Sequence, residues 1–412
     1  MMVAFLTSSL NASSLLANNL HADSSTPESF CFVSFGCWGG LNKVTQKRVA
    51  EVMGRAVEKE SLPTLFVIAA GDNFYKKGVT SIHDPRFLTT FDDVYNHQSL
   101  MQLPFLVALG NHDYRGDFIA QVNYTTYQLK HVPRATGRWY LPEAYYVKQV
   151  HANLVVFVLD TPLLERCANN GNDSPRCWDH GAQKRYFEEQ FEKFRHVKWK
   201  VVVGHYPMHA NGPHVNFPWL IQWLQPLLEK YCVSLYINAD NHYLQVSSVN
   251  GVYYVNSGGG AGFGVRHQPA NRNYKTSPFS QFVAFEDGIF THCIHEGNHS
   301  MVTSAINHEG LVRQQFVSDR SLSESGQCGG GVGAVAGGEN ARPIVADHGD
   351  RAAAAHDGEV KYIEQIPVGS FQPTAPRVEV SIILMGLGVV FIILALTRGG
   401  NGLFAGRNIK RP

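Results

Sequence analysis

Residues 63–75 read PTLFVIAAGDNFY, an apolar run that ends abruptly in a glycine followed by polar and aromatic side chains. A run rich in β-branched residues and bounded by turn formers predicts a buried strand. Four further runs follow the same plan: FCFVSF passes into GCWGG, LPFLVAL into GNHDY, KWKVVV into GHYPMH, and VSLYIN into ADNHYLQ. Strands that each end in a polar loop predict an α/β sheet with its functional groups at the carboxyl ends of the strands.

The remaining pattern extends this sheet into a mixed sandwich. Apolar residues recur at helical spacing in the first crossover, at Val49, Val52, Met53, Ala56 and Val57. The later runs VNGVYYVNSGG and SQFVAFEDGIFTHCI contain no crossover and predict antiparallel strands. We expect the globular domain to span residues 28–306.

The C-terminal region predicts a membrane anchor. Val380–Thr397 is a run of 18 residues without a formal charge, long enough for a transmembrane helix. Residues 398–412 carry four basic and no acidic side chains, as expected for a cytoplasmic tail. Residues 318–377 are rich in Gly, Ala and Ser, a composition that predicts a flexible stalk.

This topology describes a single-pass type I chain whose large domain is lumenal or extracellular, in the endo-lysosomal system or at the cell surface. Residues 1–22 are a weak candidate for the signal peptide, because they lack a basic N-terminal region. The compartment is consistent with candidate glycosylation sites and with a candidate disulfide that closes a polar loop. The former are Asn123, Asn172 and Asn298, and the latter joins Cys167 to Cys177.

Charge excludes one class of partner. The formal net charge is +1, from 35 basic and 34 acidic residues, so nothing in the composition favours a nucleic acid as a partner.

The polar clusters at the strand ends carry the chemistry, since they contain carboxylate, imidazole, amide and phenol groups. Each such residue alone is an ordinary turn or packing residue. Gathered at one rim of a sheet, they predict ligands for two adjacent metal ions.

The motifs GDNFYKKGV, GNHDY, GHYPMHANGPH and NHYLQ resemble those of the metallophosphoesterases, specifically the purple, or tartrate-resistant, acid phosphatases. The resemblance covers about residues 28–305. It implies an α/β fold, a four-layer sandwich of two mixed β-sheets flanked by helices. It also implies two metal ions, an iron paired with iron, zinc or manganese, and hydrolysis of a small phosphomonoester or a phosphoprotein by a metal-bound hydroxide.

The resemblance assigns the metal ligands residue by residue. Asp72 would bridge the two ions. Tyr75 and His242 would bind the first ion, and Asn111 and His205 would bind the second.

The acid–base groups follow from the same resemblance. His112, oriented by Asp113, and His214 would bind the phosphate and protonate the leaving alcohol. His209 lies in the same loop as His214 and is a candidate for an extra phosphate contact.

Two positions depart from the family pattern. Cys37 stands where the family has an aspartate that binds the first metal, and Asp240 stands where it has a histidine that binds the second. Both replacements can still act as ligands, although a thiolate suits zinc or Fe(II) better than hard Fe(III). If neither binds, each metal keeps three protein ligands.

For Cys37 the sequence leaves three interpretations: a metal ligand, an inert buried thiol, or half of a disulfide. Cys31 is excluded as the disulfide partner, because six residues of extended strand span about 20 Å. Bridged Cα atoms lie within roughly 7 Å of each other.

Two functions therefore remain. The first is a membrane-anchored acid phosphatase, and it is favoured because His112 and His214 are both kept. The second is a pseudophosphatase, a phosphate-binding or protein-binding ectodomain with weak or no turnover, and it is favoured by Cys37 and Asp240. A phosphodiesterase of the wider superfamily is disfavoured, because GDNFY includes the tyrosine ligand.

Overall fold

The computed structural model describes residues 27–170, 181–214, 216–261, 275–320, 332–335, 378–385 and 389–396. The chain divides into two units, Met1–Asp347 and His348–Pro412. The strands of the first unit are β1 Phe30–Phe35, β2 Thr64–Ala69, β3 Phe105–Val107, β4 Trp139–Tyr140, β5 Tyr146–His151, β6 Leu154–Val158, β7 Trp199–Val203, β8 Leu235–Asn238, β9 Leu244–Val249, β10 Val252–Ser257, β11 Ser280–Ala284, β12 Gly288–His295, β13 Ser300–Asn307, β14 Val312–Asp319 and β15 Val332–Val335. Its helices are α1 Lys43–Lys59, α2 Phe118–His131, α3 Thr161–Asn170, α4 Ala182–Lys193 and α5 Pro218–Lys230.

The strands form two mixed sheets. The first has the order β15-β14-β13-β12-β1-β2-β3-β4, in which β1 to β4 run parallel and β12 to β15 are antiparallel to their neighbours. The second has the order β11-β9-β10-β8-β7-β6-β5, with β6, β7, β8 and β10 parallel. The predicted α/β sandwich of two mixed sheets is confirmed.

Burial shows how the layers stack. On β6, Leu154 and Val156 join the core that contains the first sheet, whereas Val155 and Phe157 join a second core with α4 and α5. Both faces of this strand are covered, which explains why its sequence is continuously apolar. The strand was not among the five runs that the sequence singled out. On the other side, α1 buries Val49 in the core of the first sheet.

The first sheet continues beyond the predicted boundary at residue 306. β14 pairs with β13, and β15 pairs with β14 inside the segment that the sequence predicted as a stalk. The boundary was misjudged because β14 reads VRQQFVSD, a strand in which more buried residues alternate with more exposed ones and only Phe316 and Ser318 are buried. A strand with one exposed face has no continuous apolar run to reveal it.

A disulfide fastens the first sheet between its parallel and antiparallel halves. Cys31 on β1 is bonded to Cys293 on β12, and the two are register partners with a Cα–Cα distance of 4.0 Å. The bond joins residues separated by 262 positions.

The second unit contains a pair of strands, β16 Val378–Met385 and β17 Val389–Leu396, which are antiparallel. The sequence predicted one helix over Val380–Thr397, and the structure has strands there instead. Their many valines and isoleucines are β-branched and favour extended backbone. Within the described ranges, no helix combines the length and hydrophobicity needed to cross a bilayer.

Candidate metal centre

Three strands deliver polar residues to one buried point. Cys37 follows β1, Asp72 follows β2 and His205 follows β7, and all three side chains are buried. Their ligand atoms, a thiol sulfur, a carboxylate oxygen and a ring nitrogen, lie within 4.8 Å of one another. The structure thus brings together three of the residues that the sequence proposed as ligands.

Main-chain hydrogen bonds hold the loops against each other. The N–H of Cys37 donates to the carbonyl of Gly71 at 3.0 Å, which joins the loops after β1 and β2. The N–H of Ala239 donates to the carbonyl of His205 at 3.0 Å, which joins the loops after β8 and β7. Side chains on loops fixed in this way are oriented before a ligand binds.

The His205 ring is aimed at the carboxylates. Its Nδ1–H donates to the carbonyl of Ala70 at 2.9 Å, and this bond fixes the proton on Nδ1. Its Nε2 lies 3.5 Å from Asp72 Oδ1 and 3.6 Å from Asp240 Oδ1, beyond ordinary hydrogen-bond lengths. Burial alone would lower the pKa of His205, but Asp72 and Asp240 outweigh it and raise the pKa to about 9.

Asp240 faces two imidazoles. Its Oδ2 lies 3.4 Å from Nδ1 of His214, and its Oδ1 approaches His205. Burial raises the pKa of Asp240, but the nearby imidazoles, His214 first, outweigh that effect and lower the pKa to about 2. This position therefore carries a negative charge at the rim of the buried group.

The remaining predicted ligands lie around this group. Tyr75 and His242 contact each other, with 3.1 Å between the phenol oxygen and Nε2. Burial, and then the charge of Asp72, raise the pKa of Tyr75 and of the Cys37 thiol well above their ordinary values. Cys37 is a free cysteine, so the disulfide interpretation is wrong.

The proposed orientation of His112 by Asp113 is also wrong. The Asp113 carboxylate accepts hydrogen bonds from the backbone N–H groups of Asn73 and Gly110, at distances of 2.8 to 3.1 Å. The Nδ1–H of His112 donates to the carbonyl of Lys76 at 2.7 Å. Asp113 is thus a structural residue that holds the loops after β2 and β3 together, and the sequence could not separate this role from a catalytic one.

His209 is not brought to the site. Its Nε2 lies 2.8 Å from Gln225 Oε1 on α5, and its ring packs edge-on against Tyr254 and Phe279. This position contradicts the predicted phosphate contact at His209. His214, which lies five residues further along the same loop, points to Asp240 instead.

Two supporting residues, Thr161 and Asn241, had no role assigned from the sequence. The Thr161 hydroxyl accepts hydrogen bonds from the backbone N–H groups of His205 and Tyr206, both at 3.0 Å. The Asn241 side chain accepts from the N–H of His214 at 3.2 Å. Thr161 begins α3, far from any motif, so only the tertiary contact reveals it.

The residues predicted to be glycosylated or to form the loop disulfide are either exposed or outside the described residues. Asn123 on α2 and Asn298 in the turn before β13 are exposed. Asn172, Cys177 and the Cys167 side chain lie outside the described parts, as do residues 1–22.

The donor set fits a metal ion. Buried His205 Nε2 and Asn111 Oδ1 have no hydrogen-bond partner within the described ranges. Each unsatisfied polar atom costs about 1–3 kcal/mol unless a ligand satisfies it. A metal ion accepts lone pairs from imidazole, amide and carboxylate groups simultaneously.

Comparisons with known proteins show what the whole domain is similar to. Residues 21–244 match the family model described as calcineurin-like phosphoesterase. Human tartrate-resistant acid phosphatase type 5 is 33% identical over 255 residues, which cover 58% of this chain and 75% of that protein. Purple acid phosphatase 3 of Arabidopsis thaliana is 34% identical over 247 residues, which cover 58% of this chain and 65% of that protein. The solved structure titled "GAP50 the anchor in the inner membrane complex of Plasmodium" has a TM-score of 0.59 at 22% identity and covers 72% of this chain and 90% of that chain.

Proposed function

The chain belongs to the calcineurin-like phosphoesterase family, within its purple acid phosphatases, and we propose that it is a membrane-anchored, metal-dependent acid phosphatase that hydrolyses phosphate monoesters. Its family is one of phosphoric monoester hydrolases. The observation that carries the proposal is the buried His205 imidazole, whose Nε2 faces Asp72 and Asp240 without a hydrogen bond.

The chain's own groups suit phosphoryl transfer. Metal ions bound by Asp72, Tyr75, Asn111, His205 and His242, with Cys37 and Asp240 as the atypical ligands, would supply Lewis-acid charge on the phosphoryl oxygens. His112 and His214 are only partly buried and lie at the rim, where an entering phosphate can reach them. An imidazole there can donate a hydrogen bond to a phosphoryl oxygen or a proton to the leaving alcohol.

Hydrolysis of p-nitrophenyl phosphate between pH 4 and 7 tests the activity in the full chain with its bound metals. We expect His214→Gln to lower kcat by about 100-fold, the usual contribution of a general acid. His209→Gln is the matched control, because that histidine lies in the same loop but faces Gln225. Equal loss in the two variants, or no turnover by metal-loaded wild type, would contradict the proposal.

A specific observation favours a second candidate, the pseudophosphatase. Asp240 pairs with His214, and a carboxylate held this way restrains the group that would protonate the leaving alcohol. The fold neighbour in Plasmodium is titled as an anchor in a membrane complex. Metal-loaded protein that binds inorganic phosphate but hydrolyses nothing would support this candidate.

The membrane anchor and the compartment are part of the proposal. The uncharged run Val380–Thr397 and the basic residues after it support a single span with the large domain outside the cytosol. A lone pair of strands leaves outer N–H and C=O groups unsatisfied in lipid, so a bilayer favours the helical form. The disulfide Cys31–Cys293 supports an oxidising compartment.

Membrane fractionation of expressing cells tests the anchor. We expect the full chain to remain in the membrane pellet after carbonate washing and a chain ending at residue 377 to leave it. Glycosidase treatment should shift the full chain on a gel, and Asn298→Gln should make that shift smaller, because Asn298 is exposed in a glycosylation sequon. A full chain that is released by carbonate would refute the span.

A further inference from the structure

Both departures from the family pattern lie beside the same imidazole. The Cys37 sulfur belongs to the group within 4.8 Å that contains His205 and Asp72, and Asp240 Oδ1 lies 3.6 Å from His205 Nε2. The resemblance places Cys37 and His205 on different ions. The structure places them around one point.

The spacing suits one ion. Ligand atoms around a single tetrahedral zinc, at bond lengths of about 2.0 Å to nitrogen and oxygen and 2.3 Å to sulfur, lie roughly 3.3–3.8 Å apart. His205 Nε2 and Asp72 Oδ1 are separated by 3.5 Å. The sulfur requires at most a small side-chain adjustment, because it is already within 4.8 Å of both.

His205 is oriented as a ligand. Its Nδ1–H is bound to the Ala70 carbonyl, so Nε2 is the ring atom that faces the carboxylates and that a metal ion would take in place of a proton. Metal-binding histidines commonly donate their other ring N–H in this manner. The ring is completely buried, and its Nε2 makes no hydrogen bond within the described ranges.

We infer that Cys37, Asp72 and His205 bind one zinc-class divalent ion between them, in place of the iron-containing pair that the family implies. The inference rests on the proposed function only in that it concerns the same site. A thiolate, an imidazole and a carboxylate form a donor set that zinc prefers, whereas a thiolate tends to reduce Fe(III). Three protein ligands leave a fourth position open, as in catalytic zinc sites.

The second metal position is weakened by the same rearrangement. Its family histidine is replaced by Asp240, and the Asp240 carboxylate is shared between His205 and His214. If His205 binds the ion at Cys37, Asn111 is the one expected ligand of the second ion that binds nothing else. A single ion therefore accounts for both substitutions.

Cobalt(II) provides the spectroscopic probe, because it replaces zinc and absorbs visible light. The full-length protein in detergent is stripped with a chelator and titrated with Co²⁺, and then with Zn²⁺ in competition. We expect one equivalent of Co²⁺, strong visible bands of a four-coordinate ion and a near-ultraviolet thiolate-to-cobalt band. Cys37→Ser should abolish the thiolate band and weaken Zn²⁺ binding by at least about 100-fold.

A matched pair of histidine variants separates ligand loss from general damage. His205→Gln should abolish the cobalt spectrum. His292→Gln should leave it unchanged, because His292 is equally buried but contacts Ser34 and Thr303 instead of the ligands. Circular dichroism of the metal-free variants verifies that each one is folded. Cys37→Asp, which restores the family residue, should lose the thiolate band and gain iron.

Metal analysis of the protein as purified decides between the alternatives. Two ions per chain that include iron, with the visible band of a tyrosinate, would overturn the inference, and so would an unchanged thiolate band in Cys37→Ser. Hydrolysis is measured separately. An active iron-containing pair would refute the single zinc-class ion and leave the proposed function standing. A thiolate-bound ion without turnover would support the single ion and refute the proposed phosphatase activity.

Discussion

Three side chains of the site stand on backbone that few residue types adopt readily. Cys37, Asp72 and Asp240 have φ values of 55°, 55° and 61°, in the left-handed region. This region costs roughly 1–2 kcal/mol for an ordinary residue and less for aspartate, which hydrogen-bonds locally. Each residue lies in the turn that follows a strand, and all three side chains approach the His205 ring. A cysteine side chain does not form such a local hydrogen bond. We therefore expect Cys37→Asp to relieve backbone strain as well as to replace a sulfur ligand by an oxygen ligand.

The glycine before Asp72 is required for a second reason. Gly71 has φ +90°, and a Cβ there would lie 2.6 Å from His205 Nδ1. We predict that Gly71→Ala lowers the free energy of unfolding by at least about 3 kcal/mol, since both the backbone and the imidazole must shift. Gly251→Ala is the control, because Gly251 has φ +79° with nothing within 4 Å. Chemical denaturation measures both, and equal losses would show that the contact with His205 costs nothing.

Between elements, the start of α3 fastens the loop that carries His205. The Thr161 hydroxyl accepts hydrogen bonds from the backbone N–H groups of His205 and Tyr206, and both of these residues are buried. The preceding residue, Asp160, accepts a hydrogen bond from the Tyr114 hydroxyl. The helix therefore links the loop after β7 to the loop after β3, although it contributes no predicted ligand.

Thr161 offers a conservative pair of substitutions. Thr161→Val leaves two buried N–H groups without an acceptor, and we predict a loss of about 2–3 kcal/mol of stability together with weaker metal binding. Thr161→Ser keeps the oxygen and should remain within about 1 kcal/mol of wild type. Thermal unfolding and metal titration distinguish the two. If Val and Ser variants bind metal equally, the hydroxyl does not position His205.

The bond between β1 and β12 should stabilise the first sheet. Closing a loop of 262 residues removes conformational freedom from the unfolded chain, and its loss is expected to cost about 2–5 kcal/mol. We predict this loss for the double variant Cys31→Ala/Cys293→Ala in chemical denaturation. Added reductant should destabilise wild type more than the double variant. An identical response of the two proteins to reductant would mean that this bond does not contribute.

At the scale of the whole molecule, buried titratable groups set how stability responds to acid. His292 is fully buried between Ser34 and Thr303, and burial lowers its pKa to about 3. Asp160 is buried as well, and burial raises its pKa to about 7. As the pH falls, His292 takes up its proton at a higher pH in the unfolded chain than in the folded chain. Asp160 takes up its proton at a higher pH in the folded chain. The two groups therefore change the free energy of unfolding in opposite directions.

The sign of each effect can be measured. The stability conferred by neutral His292 is complete above pH 6.5. It decreases by up to about 1.4 kcal/mol per pH unit as the pH falls towards 3. His292→Gln should therefore make stability decline less steeply between pH 6.5 and 4.5. Stability conferred by protonated Asp160 is complete below about pH 4 and is lost as the pH rises towards 7. Asp160→Asn should consequently steepen the decline on acidification, and denaturation curves at several pH values that show the same slope for both variants would refute the assignment.

The amino-acid sequence alone was enough to predict the layered α/β fold and the strand-end loops. Strand runs such as FVIA at the end of β2 are buried on both faces, so their apolar residues are contiguous and local. The motifs that follow them are also local, and for this reason Asp72 and His205 could be proposed as ligands. Strands with mixed burial, such as β14, lack that signal and were missed.

Tertiary structure alone decided the contacts between distant residues. It paired Cys31 with Cys293, assigned Asp113 to backbone amides, turned His209 towards Gln225 and placed Cys37 beside His205. The physical reason is the same in each case. A side chain's partners depend on which strands become neighbours and on the direction in which each turn points it, and neither is encoded in the local spacing of residue types.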